Sequence, residues 1–313
     1  MIGATFARPW FWAFAAAALA LAATVVLTGS GGASGLLKAT LTFASFSVLV
    51  GLGQMAVVTM GPGNVDLSIP AVMTLAGTLS LKLMDGVEGT EAWGLLVALG
   101  VGLGAGAMNY ALILLLRIPP IIATLSASFV FQSVAIWSNR GLRIKPPDTL
   151  AAFSTGSTLW VPNLAWVSLG AALVFWVLIE RSVYGRRLSA LGQNLRAARL
   201  AGVPVEGVRA ATYLLCAVMA ALAGFLLSCF SGGAALNMGA EYLLMSIAVV
   251  VIGGSSIAGG NSNVPGIWGA AMFMFLIVSM LNSYGLGSGV RLIMTGVIII
   301  AIVTAASGRR RAG

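Results

Sequence analysis

Residues able to carry out chemistry are few in this chain of 313 residues, and their types exclude most enzyme mechanisms. Histidine is absent, so no Ser-His or Cys-His nucleophilic pair and no histidine metal site can form. The two cysteines, Cys216 and Cys229, lie in one apolar segment, too far apart along a helix for a disulfide. No P-loop pattern for ATP is present. We therefore expect no catalytic residue, no metal ligand and no cofactor bound by this chain.

Asp66 is the acidic residue with the most apolar surroundings, and it is the best candidate for a site within a membrane. It lies in GPGNVDLSIP, residues 61–70, which interrupts two long apolar segments. An ionisable residue at membrane depth is costly and faces protein or water. A simpler interpretation is an exposed turn in which Asp66 caps a helix beginning at Leu67. We favour the capping role, which is compatible with a place for Asn64, Asp66 and Ser68 on a polar path.

A second set of polar side chains lies within the apolar segment 121–137. Thr124, Ser128 and Gln132 recur every four residues, so they share one face of a helix. We predict that this face lines a path for a hydroxylated solute. Taken singly, each residue is more commonly an interhelical hydrogen-bonding group. The same alternative applies to the other polar residues in apolar segments, among them Gln54, Asn109, Ser126, Ser133 and Asn282.

The longest polar segment, residues 184–209, carries five arginines, and Arg181 precedes it. Asn194 is a suitable N-cap, and LRAARLAG after it predicts a short helix that ends at Gly202. The exposed arginines and small apolar residues of this helix suit a groove on a cytosolic partner. They suit equally a basic helix held at the interface by anionic lipid. The residues alone leave both alternatives open.

The composition determines the class of protein that must position these residues. Hydrophobic residues make up 59% of the chain and charged residues 8%, and the mean hydropathy is +1.01. Soluble globular proteins carry about a quarter charged residues, so the main solvent of this chain must be lipid. The net charge of +9 resides mostly in loops, where it sets orientation. We therefore expect no nucleic-acid partner.

The apolar segments divide the chain into ten predicted spans, at roughly 20 residues per crossing. The first is interpreted as an uncleaved helix, because its apolar run is longer than that of a signal peptide cleaved near Ala33. In the fourth, Gly100 with Gly104 and Gly102 with Gly106 have the spacing that allows close helix packing. The predicted spans are residues 9–27, 36–60, 67–84, 93–116, 121–137, 164–179, 210–230, 242–257, 264–281 and 291–306.

The positive-inside rule favours cytoplasmic N- and C-termini. That orientation puts eleven basic residues inside, among them Arg8, Arg117, the loop arginines and Arg309 to Arg311. It leaves six outside, which are Lys38, Lys82, Arg140, Arg143, Lys145 and Arg291. The opposite orientation would translocate the most basic loop.

Two glycine-bearing breaks show a faint likeness to each other: AVVTMGPGN at residues 56–64 and AVVVIGGSS at residues 248–256. Transporters often contain inverted repeats, which would put such loops on opposite sides of the membrane. The ten-span arrangement puts both inside, and chance explains so short a match. The glycines of residues 253–266 predict a tight turn and close packing rather than a phosphate cradle, because no basic residue is near.

Four blocks of the sequence, taken in order, resemble the permease subunits of ribose-type ABC sugar importers. They are NVDLS, the segment RIPPIIATLSASFVFQSVAIWSNRG, the loop from YGRRLSALGQNLRAARLAGVP onward, and AVVVIGGSSIAGGNSNVPGIWGA. The loop is the most specific block. Asn64-Val65 and Ile69-Pro70 depart from the family pattern around Asp66, as does the segment 261–263 in the last block. These departures bear on the substrate rather than on the class.

The resemblance implies an all-α polytopic membrane fold of the type II ABC importer kind, in one domain over residues 1–313. It implies a bacterial cytoplasmic membrane protein that works with an ATP-binding ATPase subunit, a periplasmic or extracellular solute-binding protein and a second permease copy. Residues 181–209 would form the cytoplasmic coupling loop. The loop residues that the resemblance implies as contacts of the ATPase are Asn194, Ala197, Ala198, Leu200, Ala201, Gly202 and Val203.

Three other functions are alternatives to a sugar importer. A permease for branched-chain amino acids or nucleosides is related, but the NVDLS block disfavours the branched-chain type. A secondary transporter that needs no ATPase would require buried ionisable groups for ion coupling, and Asp66 is the one candidate. An intramembrane enzyme lacks the necessary residues.

Overall fold

The computed structural model describes residues 9–28, 32–139 and 144–283, together with 289–290, 293–294, 296–298 and 300–301. Apart from one ribbon, in which β1 (Ser157–Thr158) pairs antiparallel with β2 (Val161–Pro162), the regular structure of these residues is helical. Six helices are long and apolar enough to cross a membrane, and three shorter apolar helices accompany them. The predicted all-α polytopic membrane fold is confirmed.

The helices of the described part follow one another with short connections. They are α1 (Pro9–Thr28), α2 (Ala33–Thr59), α3 (Ile69–Met84), α4 (Glu91–Leu116), α5 (Pro120–Ser138), α6 (Asp148–Thr155), α7 (Asn163–Glu180), α8 (Val183–Gln193), α9 (Leu195–Leu200), α10 (Val205–Phe230), α11 (Tyr242–Ile252) and α12 (Val264–Ser283).

Nine of the predicted spans contain one helix each. The tenth, residues 291–306, lies mostly outside the described residues, as do Arg8, Arg140, Arg143 and Arg309 to Arg311. Helix α10 begins at Val205 rather than at the predicted residue 210, because its first turn is polar and lay outside the apolar run. Two further predicted boundaries are wrong: α3 begins at Ile69 rather than Leu67, and α11 ends at Ile252 rather than residue 257. Composition cannot locate these ends, because both adjoining segments stay apolar while the backbone leaves the helix.

The segments that connect the helices lie on two opposite faces of the protein, as their contacts show. On the first, which we name the loop face, α8 meets the turns after α2 and α11: the amide of Gly260 donates to the carbonyl of Thr59 at 2.9 Å. On the second, the turn face, the hydroxyl of Thr149 in α6 lies 2.6 Å from a carboxylate oxygen of Glu88 and of Glu91. Successive helices therefore alternate in direction, as the sequence predicts.

The two breaks with similar sequence lie together on the loop face. A Cβ on Gly259 would lie only 2.4 Å from the Cα of Gly61. An inverted repeat would have separated these breaks onto opposite faces, so the contact argues against an inverted duplication.

Helices α2, α3 and α10 form the centre of the core, and glycines let their backbones approach. In α4, a Cβ on Gly106 would lie 2.6 Å from the Cα of Leu214 in α10, and one on Gly102 would lie 2.7 Å from that of Val218. Added Cβ atoms on Gly100 and Gly104 would meet nothing within 4 Å. Of the two predicted glycine pairs, Gly102 with Gly106 is the one that packs against another helix.

Candidate functional site

The turn between α2 and α3 ends in a fully buried carboxylate. Asp66 is 0% exposed, although Pro62 and Gly63 at the start of the turn are exposed. Its Oδ1 accepts hydrogen bonds from the backbone amide of Ser68 at 2.8 Å and from the Ser68 hydroxyl at 2.6 Å. This Asx turn closes the chain back on itself immediately before α3 begins.

The predicted capping role of Asp66 is therefore wrong in its detail. Ser68, not Asp66, is the N-cap residue of α3, and its side chain makes no cap hydrogen bond. Asp66 lies two residues earlier and bonds to the N-cap residue itself rather than to an amide of the first helical turn. The interpretation of residues 61–66 as an ordinary exposed turn is likewise wrong at Asp66, because the carboxylate is enclosed by three neighbouring helices.

Each of those helices contributes one polar side chain to this turn. Gln54 of α2 accepts from the amide of Asp66 at 3.2 Å, and Thr124 of α5 accepts from the amide of Leu67 at 3.0 Å. Asn109 of α4 donates from Nδ2 to the Ser68 hydroxyl at 2.7 Å. Asn109 lies seven residues before the end of α4, so the cluster sits about 10 Å inside the loop face. The cluster fixes the point at which α3 starts.

Two polar atoms of this cluster are buried without a hydrogen-bond partner, Gln54 Nε2 and Asn109 Oδ1. The buried thiol of Cys216 in α10 is a further neighbour of Asp66. Within the described residues, no three His, Cys, Asp or Glu side chains come together as a metal site would require. The chemistry of the cluster is hydrogen bonding.

The predicted polar face of α5 is a single face, but its members differ in their contacts. Thr124 is buried in the cluster around Asp66. Ser128 is half-buried, and its hydroxyl donates to the carbonyl of Leu125 in its own helix at 2.6 Å. Gln132 is half-buried, and its Nε2 donates to the carbonyl of Leu236 at 2.7 Å. These bonds are compatible with both the path and the structural interpretations.

Cavities lie at both ends of α3, α5 and α10. The cavity on the loop face, of about 440 Å³, is lined by Asn64 and Tyr213 together with Arg117, Glu206 and Arg209. The cavity on the turn face, of about 350 Å³, is lined by Thr78, Asn139, Lys145 and residues 231–235. Of the residues predicted to line a path, Asn64 is the one that borders a described cavity.

The basic loop contains the predicted short helix and a second helix that the sequence analysis did not separate. Asn194 caps α9 as predicted, because its Oδ1 accepts from the amide of Ala197 at 3.0 Å. At the other end, the amides of Gly202 and Val203 donate to the carbonyls of Arg199 and Ala198, at 3.1 and 3.0 Å. Gly202 has a φ of +77°, so this is the glycine-terminated motif that the sequence predicts.

The residues that the resemblance implies as coupling contacts surround one exposed tip. Leu200 is 90% exposed, and Asn194, Ala197, Ala201 and Gly202 are exposed around it. Ala198 is buried and Val203 half-buried, so these two hold the tip against the body of the protein. An exposed leucine beside arginines, on a short helix capped at both ends, forms a small apolar protrusion on a basic surface.

Side chains anchor the loop to the membrane helices at two points. The hydroxyl of Tyr184 in α8 lies 2.8 Å from the hydroxyl of Thr212 in α10, and burial raises the pKa of Tyr184 to about 12. Glu206, in the first turn of α10, accepts from the hydroxyl of Tyr110 in α4 at 2.8 Å and pairs with Arg199 of α9 at 3.6 Å. The latter pair is largely exposed and contributes about 1 kcal/mol or less.

A junction of glycines connects α8 to both breaks on the loop face. A Cβ on Gly192 would lie 1.9 Å from the carbonyl oxygen of Thr59 and 2.4 Å from the amide nitrogen of Gly260. Gly192, two residues before the α9 cap, therefore touches the backbone both at the start of the turn that leads to Asp66 and in the break after α11. The roles of Gly192, Glu206 and Tyr110 were not foreseen, since their partners are distant in sequence.

Comparison with known proteins identifies the family of this chain. Residues 36–303 match the family described as branched-chain amino acid transport system / permease component. The ribose import permease protein of Bacillus subtilis (strain 168) is 31% identical over 259 residues, which cover 82% of this chain and 79% of that protein. The galactofuranose transporter permease protein of Escherichia coli (strain K12) is 33% identical over 248 residues, 78% of this chain and 69% of that protein.

The ribose import permease protein of Escherichia coli (strain K12) is 28% identical over 264 residues, 83% of this chain and 81% of that protein. No solved structure gives a significant match. The names of these relatives confirm the resemblance to permease subunits of ABC sugar importers. The chain therefore belongs to the family of ABC import permeases that includes these proteins, and it is a transmembrane transport subunit.

Proposed function

We propose that this chain is the membrane-spanning subunit of an importer that moves a monosaccharide-like solute across the bacterial cytoplasmic membrane by alternating access. ATP hydrolysis on a separate subunit would drive the cycle, and a solute-binding protein would deliver the solute. A second permease copy would complete the pathway. The observation that carries this proposal is the capped helix α9, which presents Leu200 on the same face as the turn that ends at Asp66.

The contacts of the loop support a mechanical role. An ATPase can shift the permease only as far as its contacts differ between its own states. A displacement of α8 and α9 would reach the break before α3 through Gly192 and the start of α10 through Glu206. Contact of the arginines with anionic lipid is compatible with this role. Lipid contact alone, however, gives no reason for a capped helix with an exposed leucine at its tip.

Purification of the tagged chain from its native membranes tests the proposal. We expect an ATPase and a solute-binding protein to co-purify, and ATP-dependent sugar uptake when the complex is reconstituted into liposomes. A Leu200→Asp variant should reach normal levels in the membrane, because the side chain is exposed and supports no core packing. It should nevertheless fail to retain the ATPase, because a charge replaces the apolar side chain at the proposed contact. Retention of the ATPase by this variant, or uptake without any ATPase, would contradict the proposal.

The family name suggests branched-chain amino acids as a second class of solute, and the uptake experiment must test them separately. The matching family is named for branched-chain amino acids, although the relatives described above are named for sugars. Uptake of labelled leucine should therefore be measured beside ribose and galactose in the same liposomes. Uptake of leucine alone would overturn the sugar assignment and leave the ATP-driven permease intact.

The proposed orientation puts the loop face in the cytoplasm. Cysteines at Leu200 and at Val87, which is 57% exposed in the turn between α3 and α4, should react with an impermeant maleimide from opposite sides. The wild-type chain serves as the background, since Cys216 and Cys229 are both buried. We expect Leu200→Cys to react in inside-out vesicles and Val87→Cys in intact spheroplasts. The reverse pattern would invert the proposed orientation.

A further inference from the structure

The non-helical segment between α10 and α11, residues 231–241, runs from the turn face towards the middle of the protein; we name it the re-entrant segment. Near its start, Asn139 at the end of α5 donates to the carbonyl of Ala234 at 3.5 Å. Further along, Gln132 donates to the carbonyl of Leu236 at 2.7 Å. Near its end, a Cβ on Gly239 would lie 2.3 Å from the carbonyl oxygen of Pro70, in the first turn of α3.

These contacts put the end of the re-entrant segment near mid-membrane. Gln132 is twelve residues into α5, which corresponds to about 18 Å from the loop face in an apolar core of roughly 30 Å. The following helix, α11, has 11 residues and a length of about 16 Å, so it covers only the remaining distance to the loop face. Helix α11 therefore starts at membrane depth.

Two polar side chains on this segment are exposed and could contact a solute. Asn237 and Glu241 are both exposed. Glu241 occupies the N-cap position of α11, but its side chain makes no cap hydrogen bond. Within the described residues, the carboxylate has no hydrogen-bond or salt-bridge partner. A carboxylate and an irregular backbone at this depth are tolerated only where they face protein or water.

The segment also continues into an open cavity. Its first residues, 231–235, line the cavity on the turn face together with Thr78, Asn139 and Lys145. Thr78 is 2% exposed, and its hydroxyl has no hydrogen-bond partner. The re-entrant segment thus links the cavity on the turn face, at its first residues, to the exposed carboxylate of Glu241 at its end.

We propose that Glu241, with Asn237, binds hydroxyl groups of the transported solute at mid-membrane, a role that rests on the proposed function. A carboxylate accepts hydrogen bonds from two hydroxyls, and a carboxamide both donates and accepts. This pair suits a neutral polyhydroxylated solute and repels an anion.

The accessibility of Glu241 can be tested without any partner protein. In lipid nanodiscs, Glu241→Cys should react with a charged methanethiosulfonate reagent at least about tenfold faster than Val174→Cys. Val174 is 66% exposed in the middle of α7, where it faces lipid. The wild-type chain gives the background. A reaction no faster than that of Val174→Cys would overturn the aqueous path, whatever the importer carries.

Uptake then tests the binding role. In reconstituted importer, Glu241→Ala should lower uptake of the sugar that the wild-type protein imports by about tenfold to a hundredfold, with a smaller loss for Glu241→Gln. Glu180→Gln, at the exposed end of α7, is the matched control. Unchanged uptake in Glu241→Ala overturns the assignment; if that variant does not accumulate, Asn237→Ala provides the same test. Absence of sugar uptake by the wild-type protein would refute the proposed function, while the reactivity of Glu241→Cys would still decide the path.

Discussion

Replacement of Asp66 by alanine and by asparagine separates the geometry of the turn from its charge. In the structure, Asp66 Oδ1 accepts two hydrogen bonds from Ser68, and both groups are buried. Asp66→Ala leaves the amide of Ser68 without an acceptor. The Ser68 hydroxyl keeps its bond from Asn109 but loses its own acceptor. A buried donor without a partner and the loss of a charge-assisted hydrogen bond should together lower the free energy of unfolding by about 2–5 kcal/mol.

Asp66→Asn should behave differently, because its Oδ1 can accept the same two hydrogen bonds. The new Nδ2 would replace Oδ2, which lies 3.4 Å from Asn109 Nδ2, so two donors would face each other at a long distance. Against that small cost, the substitution removes a buried charge that has no cationic partner in the described residues. We expect a loss of about 1 kcal/mol or less, and uptake close to that of the wild-type protein.

The assay is an unfolding titration of each variant in mixed micelles, followed by uptake measurements in liposomes. Asp148→Ala, at an exposed position on the turn face, controls for the loss of any carboxylate. If Asp66→Asn is as damaging as Asp66→Ala, the negative charge itself is required, and the account of Asp66 as a hydrogen-bond acceptor is wrong.

Three further predictions concern substitutions of glycines. Gly106→Ala should destabilise the protein by about 1–3 kcal/mol because it overpacks α4 against α10. Gly104→Ala, with nothing within 4 Å, should be neutral or stabilising, and equal unfolding midpoints for the two would contradict the packing. Gly202→Glu should reach the membrane but abolish uptake, because it strains a φ of +77° and places an acid on the docking tip; normal uptake would refute this. Gly192→Ala should increase the rate of amide hydrogen exchange in residues 59–68 and 253–263, whereas the control Gly207→Ala should leave it unchanged. An increase limited to α8 would show that the contacts of Gly192 do not carry motion from the basic loop to the two breaks.

Local chemistry made the caps of the short helix in the basic loop predictable from its sequence. A cap is formed by residues within a few positions of one another, so Asn194 and Gly202 could be assigned from their types and spacing. Apolar runs likewise predicted nine of the helices, because lipid imposes a minimum length on each crossing. The surroundings of Asp66 could not be predicted, since its neighbours Gln54, Asn109 and Cys216 come from three different helices.

The re-entrant segment escaped prediction for a related reason. Residues 231–241 are rich in small and apolar types, and their composition does not reveal whether the chain crosses the membrane or folds back into it. The contacts of Gln132 and Pro70 determine the depth of this segment, and both depend on the packing of other helices.

Two helices of this permease begin within the membrane, and the acids at their starts differ in what they can still bind. The oxygens of Asp66 are occupied by Ser68 and by neighbouring helices, so Asp66 has little capacity left for a solute. Glu241 is exposed and makes no cap hydrogen bond, so both of its oxygens remain free to accept solute hydroxyls. Substitutions that break the bonds between Asp66 and Ser68, such as Asp66→Ala, should therefore act through the position of α3 and lower the rate of transport for every solute. Substitutions at Glu241 should change the preference between solutes, because they remove a contact that only some solutes make.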